Sequence, residues 1–257
     1  MRLPMAIANW KMEMTIAEAI AFVAALRKTV QGLGERVEIV LCPAYTALHA
    51  VGQALVGSRI ALGAQNVSAG SGGEYTSEVS ARLLADVGCR WVMLGHWEVR
   101  RHLGDTDEAV RQKVQRCLEQ GLRPILLVGQ ARDEQEAIHE RLARVTAGST
   151  PQQVACMAFM YEPETAIGQD LPAAPGEVAA GCRAMRAFLR ERYGAEAAEA
   201  ARIVYGGSVA PEYAPQLLAS PDVDGLGAGR KGRDVASFAQ IIRAIAEAKS
   251  SPLLFRK

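Results

Sequence analysis

Short apolar runs alternate with longer stretches of helical periodicity along the whole chain, and this alternation restricts its fold more than any other feature. Eight of the runs have the near-continuous hydrophobicity of strands that are covered on both faces, as in a parallel sheet. They lie at Met5–Ala8, Val37–Leu41, Ile60–Ala64, Trp91–Leu94, Pro124–Val128, Ala155–Tyr161, Arg202–Tyr205 and Val223–Leu226. Eight strand–helix units predict an α/β fold, a single (β/α)8 barrel. A doubly wound open sheet has the same local pattern, but the count of eight and the lack of a GxGxxG turn after the first strand favour the barrel.

Length and charge limit the domain count and the partners. A chain of 257 residues suits one such barrel, and no linker or low-complexity stretch divides it, so we expect residues 1–257 to form one domain. Its 29 basic side chains nearly balance 28 acidic ones, and no basic block is present. This balance argues against nucleic acid or a membrane surface as a partner.

Cysteine usage indicates the compartment. The five cysteines are odd in number and form no CxxC pair. A disulfide framework or a metal site is therefore not expected, and free thiols in a reducing cytoplasm are the simpler interpretation. Since no apolar segment has the length or flanks of a membrane span or a signal peptide, we expect a cytoplasmic protein. No metal and no cofactor is predicted.

Three of the apolar runs are followed within three positions by a residue that can carry a charge or move a proton. Lys11, His96 and Glu162 follow the first, fourth and sixth runs. Singly, Lys11 could be a solvated lysine and His96 a structural histidine. Because parallel strands of a barrel end at the same face, however, the three side chains can share one pocket. A cation, an imidazole and a carboxylate together are what proton transfer beside an anionic carbonyl compound requires, so the sequence predicts an enzyme.

Glycine-rich turns follow the last two runs. They read Tyr205-Gly206-Gly207-Ser208 and Gly225-Leu226-Gly227-Ala228-Gly229. Glycines let backbone N–H groups approach an anion, and Ser208 adds a hydroxyl. Either turn alone could be an ordinary tight turn. Both together, after strands 7 and 8, occupy the usual position of a phosphate site in a barrel.

Six motifs in this order resemble those of the triosephosphate isomerase family, which has the TIM-barrel fold. They are Asn9-Trp10-Lys11-Met12, the long third loop with Gly63-Ala64-Gln65-Asn66-Val67-Ser68 and Gly73-Glu74-Tyr75-Thr76-Ser77-Glu78, Gly95-His96 with Glu98, Tyr161-Glu162-Pro163 with Ala166-Ile167-Gly168, Tyr205-Gly206-Gly207-Ser208-Val209, and Val223-Asp224-Gly225. The resemblance extends from about Ile7 to about Lys249.

The resemblance implies an aldose–ketose isomerase that interconverts dihydroxyacetone phosphate and glyceraldehyde 3-phosphate through an enediolate. Glu162 would move the proton between two neighbouring carbons, and His96 would polarise the carbonyl. The family is itself the standard example of a neutral imidazole in this role. Lys11 would supply positive charge and Asn9 a neutral donor. Glu98 would order the proton network beside them.

The same resemblance implies the remaining contacts. The residues that would meet the substrate phosphate are Gly168, Gly207, Ser208, Gly229 and Arg230. The segment from Glu162 to Gly168 would be a moving lid. Thr76, in the third loop, would reach into the active site of a partner subunit, so a homodimer is implied.

Several positions depart from the family pattern close to the pocket. Gly227 replaces a leucine that presses on the catalytic glutamate, Trp97 replaces a serine, and Glu164-Thr165 replace a valine and a tryptophan at the lid hinge. Loss of the leucine would open space beside Glu162, and Trp97 would refill part of it. Two alternatives therefore stay open: isomerisation of a four-carbon sugar phosphate such as erythrulose phosphate, and, less favoured, non-catalytic binding of a sugar phosphate.

Overall fold

The computed structural model describes residues 2–129, 138–163, 166 and 168–249. Eight parallel strands follow one another around a closed barrel, and β1 closes the ring by pairing with both β2 and β8. The strands are β1 (Met5–Asn9), β2 (Glu38–Cys42), β3 (Ala61–Ala64), β4 (Trp91–Leu94), β5 (Arg123–Val128), β6 (Ala158–Tyr161), β7 (Arg202–Gly206) and β8 (Gly225–Ala228). The predicted (β/α)8 barrel is confirmed.

Helices surround the barrel. Those in the described residues are α1 (Ile16–Thr29), α2 (Leu48–Ala54), α3 (Ala81–Asp86), α4 (Trp97–Leu103), α5 (Asp107–Glu119), α6 (Ile138–Val145), α7 (Pro151–Ala155), α8 (Pro175–Tyr193), α9 (Ala195–Ala200), α10 (Ala214–Leu217) and α11 (Val235–Lys249). Short 3-10 turns lie at Leu33–Glu35, Tyr45–Ala47 and Arg230–Arg233. None of these helices has the length and apolar character that crossing a membrane requires.

The predicted strands agree with the observed ones to within two residues at each end, except at the sixth. There the run Ala155–Tyr161 was expected to be one strand, but β6 begins only at Ala158. Thr150 and Gln153 form a capping box, and Pro151 occupies the first turn, so a short helix continues to Ala155. Local capping therefore outweighs the apolar character of the segment.

Two layers of apolar side chains hold the barrel together. The outer layer lies between strands and helices, and the inner layer fills the barrel itself. The inner layer consists of Met5, Ile7, Val40, Cys42, Ala61, Trp91, Met93, Ile125, Leu127, Ala158, Met160 and Val204. Because side chains alternate along a strand, the row that points inward continues from Ile7 to Asn9 and from Met160 to Glu162. Polar groups thus replace the apolar core where the strands end.

Candidate active site

The carboxyl ends of the strands open onto a cavity of about 630 Å³. Most of the residues predicted for the site line it, namely Asn9, Lys11, His96, Glu162, Gly168, Gly207, Ser208, Gly229 and Arg230. Of the other two, Glu98 contacts Lys11 and His96 from the side. Thr76 is exposed on a separate loop. The barrel therefore brings residues from distant parts of the sequence to one opening.

The backbone of Lys11 is held in a conformation that side-chain-bearing residues rarely adopt. Its φ is +53°, in the left-handed region. Its N–H donates to Asn9 Oδ1 at 2.9 Å, and its carbonyl accepts from Gln65 Nε2 at 2.8 Å. Gln65 also donates to the Cys42 carbonyl at 3.0 Å, so it joins the ends of β1 and β2. This positioning role of Gln65 was not predicted, although Gln65 follows β3 directly.

The Lys11 ammonium group meets a carboxylate at the cavity wall. Lys11 Nζ donates to Glu98 Oε1 at 2.5 Å. Burial alone would raise the pKa of Glu98, but the hydrogen bond from Lys11 and the electrostatic influence of His96 and Lys11 outweigh burial and lower it. Glu98 is therefore a carboxylate at neutral pH and fixes the position of the ammonium group.

His96 sits at the amino end of α4 and is buried. Its Nδ1 accepts a hydrogen bond from the Glu98 backbone N–H at 3.1 Å. An Nδ1 atom that accepts carries no proton, so the proton of the neutral ring is on Nε2. Nε2 lies 3.8 Å from Glu162 Oε2. The ring therefore offers an N–H donor beside the carboxylate.

Glu162 is a buried carboxylate in an unusual setting. Within the described residues, no hydrogen-bond donor reaches its Oε2 atom. Burial raises the pKa of Glu162, nearby His96 and Lys11 oppose this rise, and Glu98 adds to it. A desolvated carboxylate without a partner is a stronger base than a solvated one. Its position suits a group that takes a proton from a bound molecule.

The backbone at Glu162 is fixed from two sides. The Trp97 indole N–H donates to the Glu162 carbonyl oxygen at 3.0 Å. The Arg141 guanidinium lies 5.2 Å from the centroid of the Trp97 ring and donates to the Gly129 carbonyl at 2.9 Å. A Cβ at Gly129 would stand 2.0 Å from the Glu162 carbonyl oxygen, so only glycine fits there. Trp97 therefore anchors the strand end instead of filling the cavity, contrary to expectation.

The space expected beside Glu162 at Gly227 is also occupied. A Cβ at Gly227 would stand 2.5 Å from Met160 Cε, and one at Gly206 would stand 2.5 Å from Met160 Sδ. Real atoms do not approach so closely, so the Met160 side chain already fills this volume. The expectation of an open wall was wrong because it considered Gly227 without its neighbour on β6.

The glycine-rich segments also line the cavity, but the second of them was wrongly expected to be a turn, because Gly225–Ala228 is β8 itself. The segments beyond the strand ends begin at Gly207 and Gly229. Ser208 has a φ of +47°, and its hydroxyl lies 3.0 Å from the Ala166 carbonyl oxygen and 2.6 Å from that of Gln169. Arg230 Nη2 donates to the same Gln169 carbonyl at 2.5 Å, and Nη1 lies 3.6 Å from Asp170. The turns after β7 and β8 are thus tied to the segment that follows β6.

The predicted lid is described only in part. Pro163, Ala166 and Gly168 belong to the described residues, and the Ala166 N–H donates to the Pro163 carbonyl at 2.9 Å. Glu164, Thr165 and Ile167, which include the two departures at the hinge, lie outside the described residues.

The loop that contains Thr76 stands out from the barrel. Residues 71–78 are all exposed, and the Glu78 N–H donates to the Tyr75 carbonyl at 3.1 Å to form a turn around Thr76. Met12, next to Lys11, is 96% exposed. Each of the two segments thus exposes a large apolar side chain, Tyr75 in the loop and Met12 beside Lys11.

Comparison with known proteins agrees with this geometry. The triosephosphate isomerase family model matches residues 4–245. The triosephosphate isomerase of Symbiobacterium thermophilum is 45% identical over 256 residues, which cover 97% of this chain and all of the relative. Those of Chloroflexus aurantiacus and Thermus thermophilus are 40% and 39% identical, and the alignments cover 94% and 95% of this chain and 99% of each relative. The chain belongs to the triosephosphate isomerase family.

Proposed function

We propose that this protein interconverts dihydroxyacetone phosphate and glyceraldehyde 3-phosphate, as the names of its relatives state for them. The observation that carries the proposal is the Glu162 carboxylate, buried and without a hydrogen bond to Oε2 from any described residue, 3.8 Å from His96 Nε2. A base and a donor side by side can act on a carbon and on the oxygen attached to the next carbon.

The reaction then moves one proton between two carbons and one between two oxygens, and the negative charge that forms in between must be stabilised. Glu162 takes the proton from the carbon next to the carbonyl, while the Nε2–H of His96 donates a hydrogen bond to the carbonyl oxygen. The electron pair of the C–H bond moves into the enediolate, whose negative charge Lys11 stabilises. His96 then gives its Nε2 proton to the former carbonyl oxygen and takes the proton of the hydroxyl on the other carbon. Glu162 returns its proton to the former carbonyl carbon, so the new carbonyl forms on the carbon that Glu162 deprotonated and both side chains regain their starting states.

The phosphate group is expected where the segments after β7 and β8 line the cavity. Backbone N–H groups of the turns after β7 and β8, at Gly207 and Gly229, and the Ser208 hydroxyl are its expected donors. Gly229 is close to Lys11, since a Cβ there would stand 3.7 Å from Lys11 Cε. One lysine can therefore face both the phosphate and the reacting oxygens. Arg230, at the rim, adds a further positive charge.

The two other functions are less well supported. Isomerisation of a four-carbon sugar phosphate was suggested by an open wall at Gly227, and Met160 fills that space. A protein that only binds sugar phosphates has no use for a buried, unpaired carboxylate, because such a group lowers stability. Glu162 is thus better explained by catalysis.

A direct assay tests the proposal. We expect kcat/KM for dihydroxyacetone phosphate to fall within the usual enzymatic range of about 10⁴–10⁸ M⁻¹ s⁻¹, and to exceed the value for erythrulose phosphates. Glu162→Gln serves as the blank because it keeps the shape of the side chain and removes the base. Full turnover by that variant, or preference for the four-carbon substrates, would contradict the proposal.

We also propose a homodimer in which Thr76 of one protomer reaches the cavity of the other. The exposed loop 71–78 and the exposed Met12 beside Lys11 support it, since large exposed apolar side chains near a site favour an interface. We expect light scattering to give twice the mass of one chain. Thr76→Arg should then yield monomers with reduced kcat, whereas Gln31→Arg, an equal change at an exposed position before β2, should stay dimeric. A monomeric wild-type protein with full activity would refute this arrangement.

A cytoplasmic location is part of the same proposal. All five cysteines are free, and four of them are buried. Free thiols are usual in a reducing compartment.

A further inference from the structure

Two neighbouring strands carry no side chain where they face the cavity. Gly206 of β7 pairs with Gly227 of β8, and both lie in the inward row of the barrel. Gly227 lines the cavity, and Gly206 lies beside Glu162. Adjacent glycines in such a row would leave a void, and barrel interiors are closely packed. One residue from a third strand must therefore supply the missing volume.

Met160 of β6 supplies that volume to both positions. Its Cε takes the place next to Gly227, and its Sδ takes the place next to Gly206, each 2.5 Å from where a Cβ would stand. Methionine suits this task because its unbranched, flexible thioether fills irregular gaps. The side chain is only 2% exposed and lines the cavity.

The same side chain lies beside the proposed base. Met160 and Glu162 are two residues apart on β6 and its end, so both point into the barrel. Glu162 Oε1 would stand 3.4 Å from a Cβ at Gly206, the point that Met160 Sδ already approaches. The thioether thus forms the apolar surface that borders the carboxylate on the side of β7 and β8.

We infer that Met160 is a positioning residue for Glu162 and sets the room available to the substrate beside Gly206 and Gly227. The inference rests on the proposed isomerase activity. Since Gly206 and Gly227 already hold the thioether on one side, its free direction is the cavity. A large side chain at Gly227 would push Met160 towards the substrate, and truncation of Met160 would let water and a longer substrate enter.

Variants that move side-chain volume from Met160 on β6 to Gly227 on β8 test the inference. We expect Met160→Ala to lower kcat for dihydroxyacetone phosphate about tenfold with little change in KM, and to raise the relative kcat/KM for erythrulose phosphates. Gly227→Leu alone should lower kcat/KM by about tenfold or more, because the displaced methyl group enters the cavity. The double variant should recover to within about threefold of the wild type, a large positive coupling between touching residues.

Controls separate this role from general core packing. Met93 also lines the cavity, on β4, so Met93→Ala removes an equal volume, and it should not rescue Gly227→Leu. Met160→Leu should keep most of kcat. If the variants with leucine at position 227 do not fold, the smaller replacement Gly227→Ala, alone and combined with Met160→Ala, tests the same contact. Additive effects in an active enzyme would overturn the inference alone, whereas an inactive wild-type protein would overturn the proposed function and this inference with it.

Discussion

Replacing Glu162 with aspartate is expected to lower kcat by about 10²–10⁴-fold and to leave KM within about threefold of the wild type. Aspartate is shorter by one methylene, so its carboxylate is withdrawn from the carbon that it must deprotonate. The strand end cannot advance to compensate, because the Trp97 indole holds the Glu162 carbonyl and Gly129 packs against it. Bound substrate keeps its other contacts, so the loss falls on the transition state.

Steady-state kinetics on dihydroxyacetone phosphate measures kcat and KM of Glu162→Asp. Thermal unfolding of Glu162→Gln is the control for folding. Burial raises the pKa of Glu162. A carboxyl group whose pKa is higher in the folded state adds stability at low pH and loses it as the pH rises through that pKa. At neutral pH and above, Glu162→Gln should therefore melt no lower than the wild type while losing turnover. An unchanged kcat in Glu162→Asp would mean that another group is the base.

Much of the site could be predicted from the sequence because its residues follow the ends of strands. Hydrophobic runs bounded by Lys11, His96 and Glu162 are visible without coordinates, and a parallel barrel places the ends of its strands at one face. The same periodicity of two continues the inward row from Ile7 to Asn9 and from Met160 to Glu162. The direction in which each of these side chains points therefore follows from the alternation along its own strand, and this alternation can be recognised in the sequence alone.

Contacts between side chains of different strands were not predictable in this way. Trp97 was expected to fill space near Glu162. Instead its indole N–H donates to the Glu162 carbonyl, and the Arg141 guanidinium lies over its ring. Gly227 was expected to leave a gap, yet Met160 reaches it from two strands away. Packing depends on how several side chains share one volume, so no single position indicates it. The segment Ala155–Tyr161 shows the same limit for boundaries, since the capping box at Thr150 begins a helix that extends to Ala155 and β6 starts only at Ala158.

The predicted site also concentrates features that weaken a fold. Lys11 and Ser208 are in the left-handed region, where residues other than glycine store strain. Oε2 of Glu162 is buried with no hydrogen bond from the described residues. These costs are offset by the closed strand ring and its two apolar layers. Strain and desolvation that the rest of the molecule tolerates are typical of positions kept for chemistry.

Lys11→Ala is the second change with a large expected effect, about 10³-fold or more in kcat/KM, shared between a higher KM and a lower kcat. The ammonium group lies between Glu98 and the turn at Gly229, where it faces both the expected phosphate and the developing oxyanion. Its loss removes the attraction for the phosphate of the bound substrate and the stabilisation of the oxyanion in the transition state. Lys11→Arg should recover little, because the longer side chain and planar guanidinium cannot place the charge where the compact ammonium group lies, between Glu98 and Gly229.

The pH profile of the Lys11→Ala variant carries the decisive information. Lys11 lowers the pKa of Glu162 against the effect of burial, together with His96, whereas Glu98 raises it. Without the lysine, the acidic limb of kcat/KM should move to higher pH, since protonated Glu162 cannot act as the base. Lys231→Ala removes a positive charge from the same cavity without the contact to Glu98, and should move neither that limb nor kcat to a comparable extent. If both variants lost activity equally, the general field of the cavity, and not the position of the Lys11 ammonium group, would account for binding and turnover.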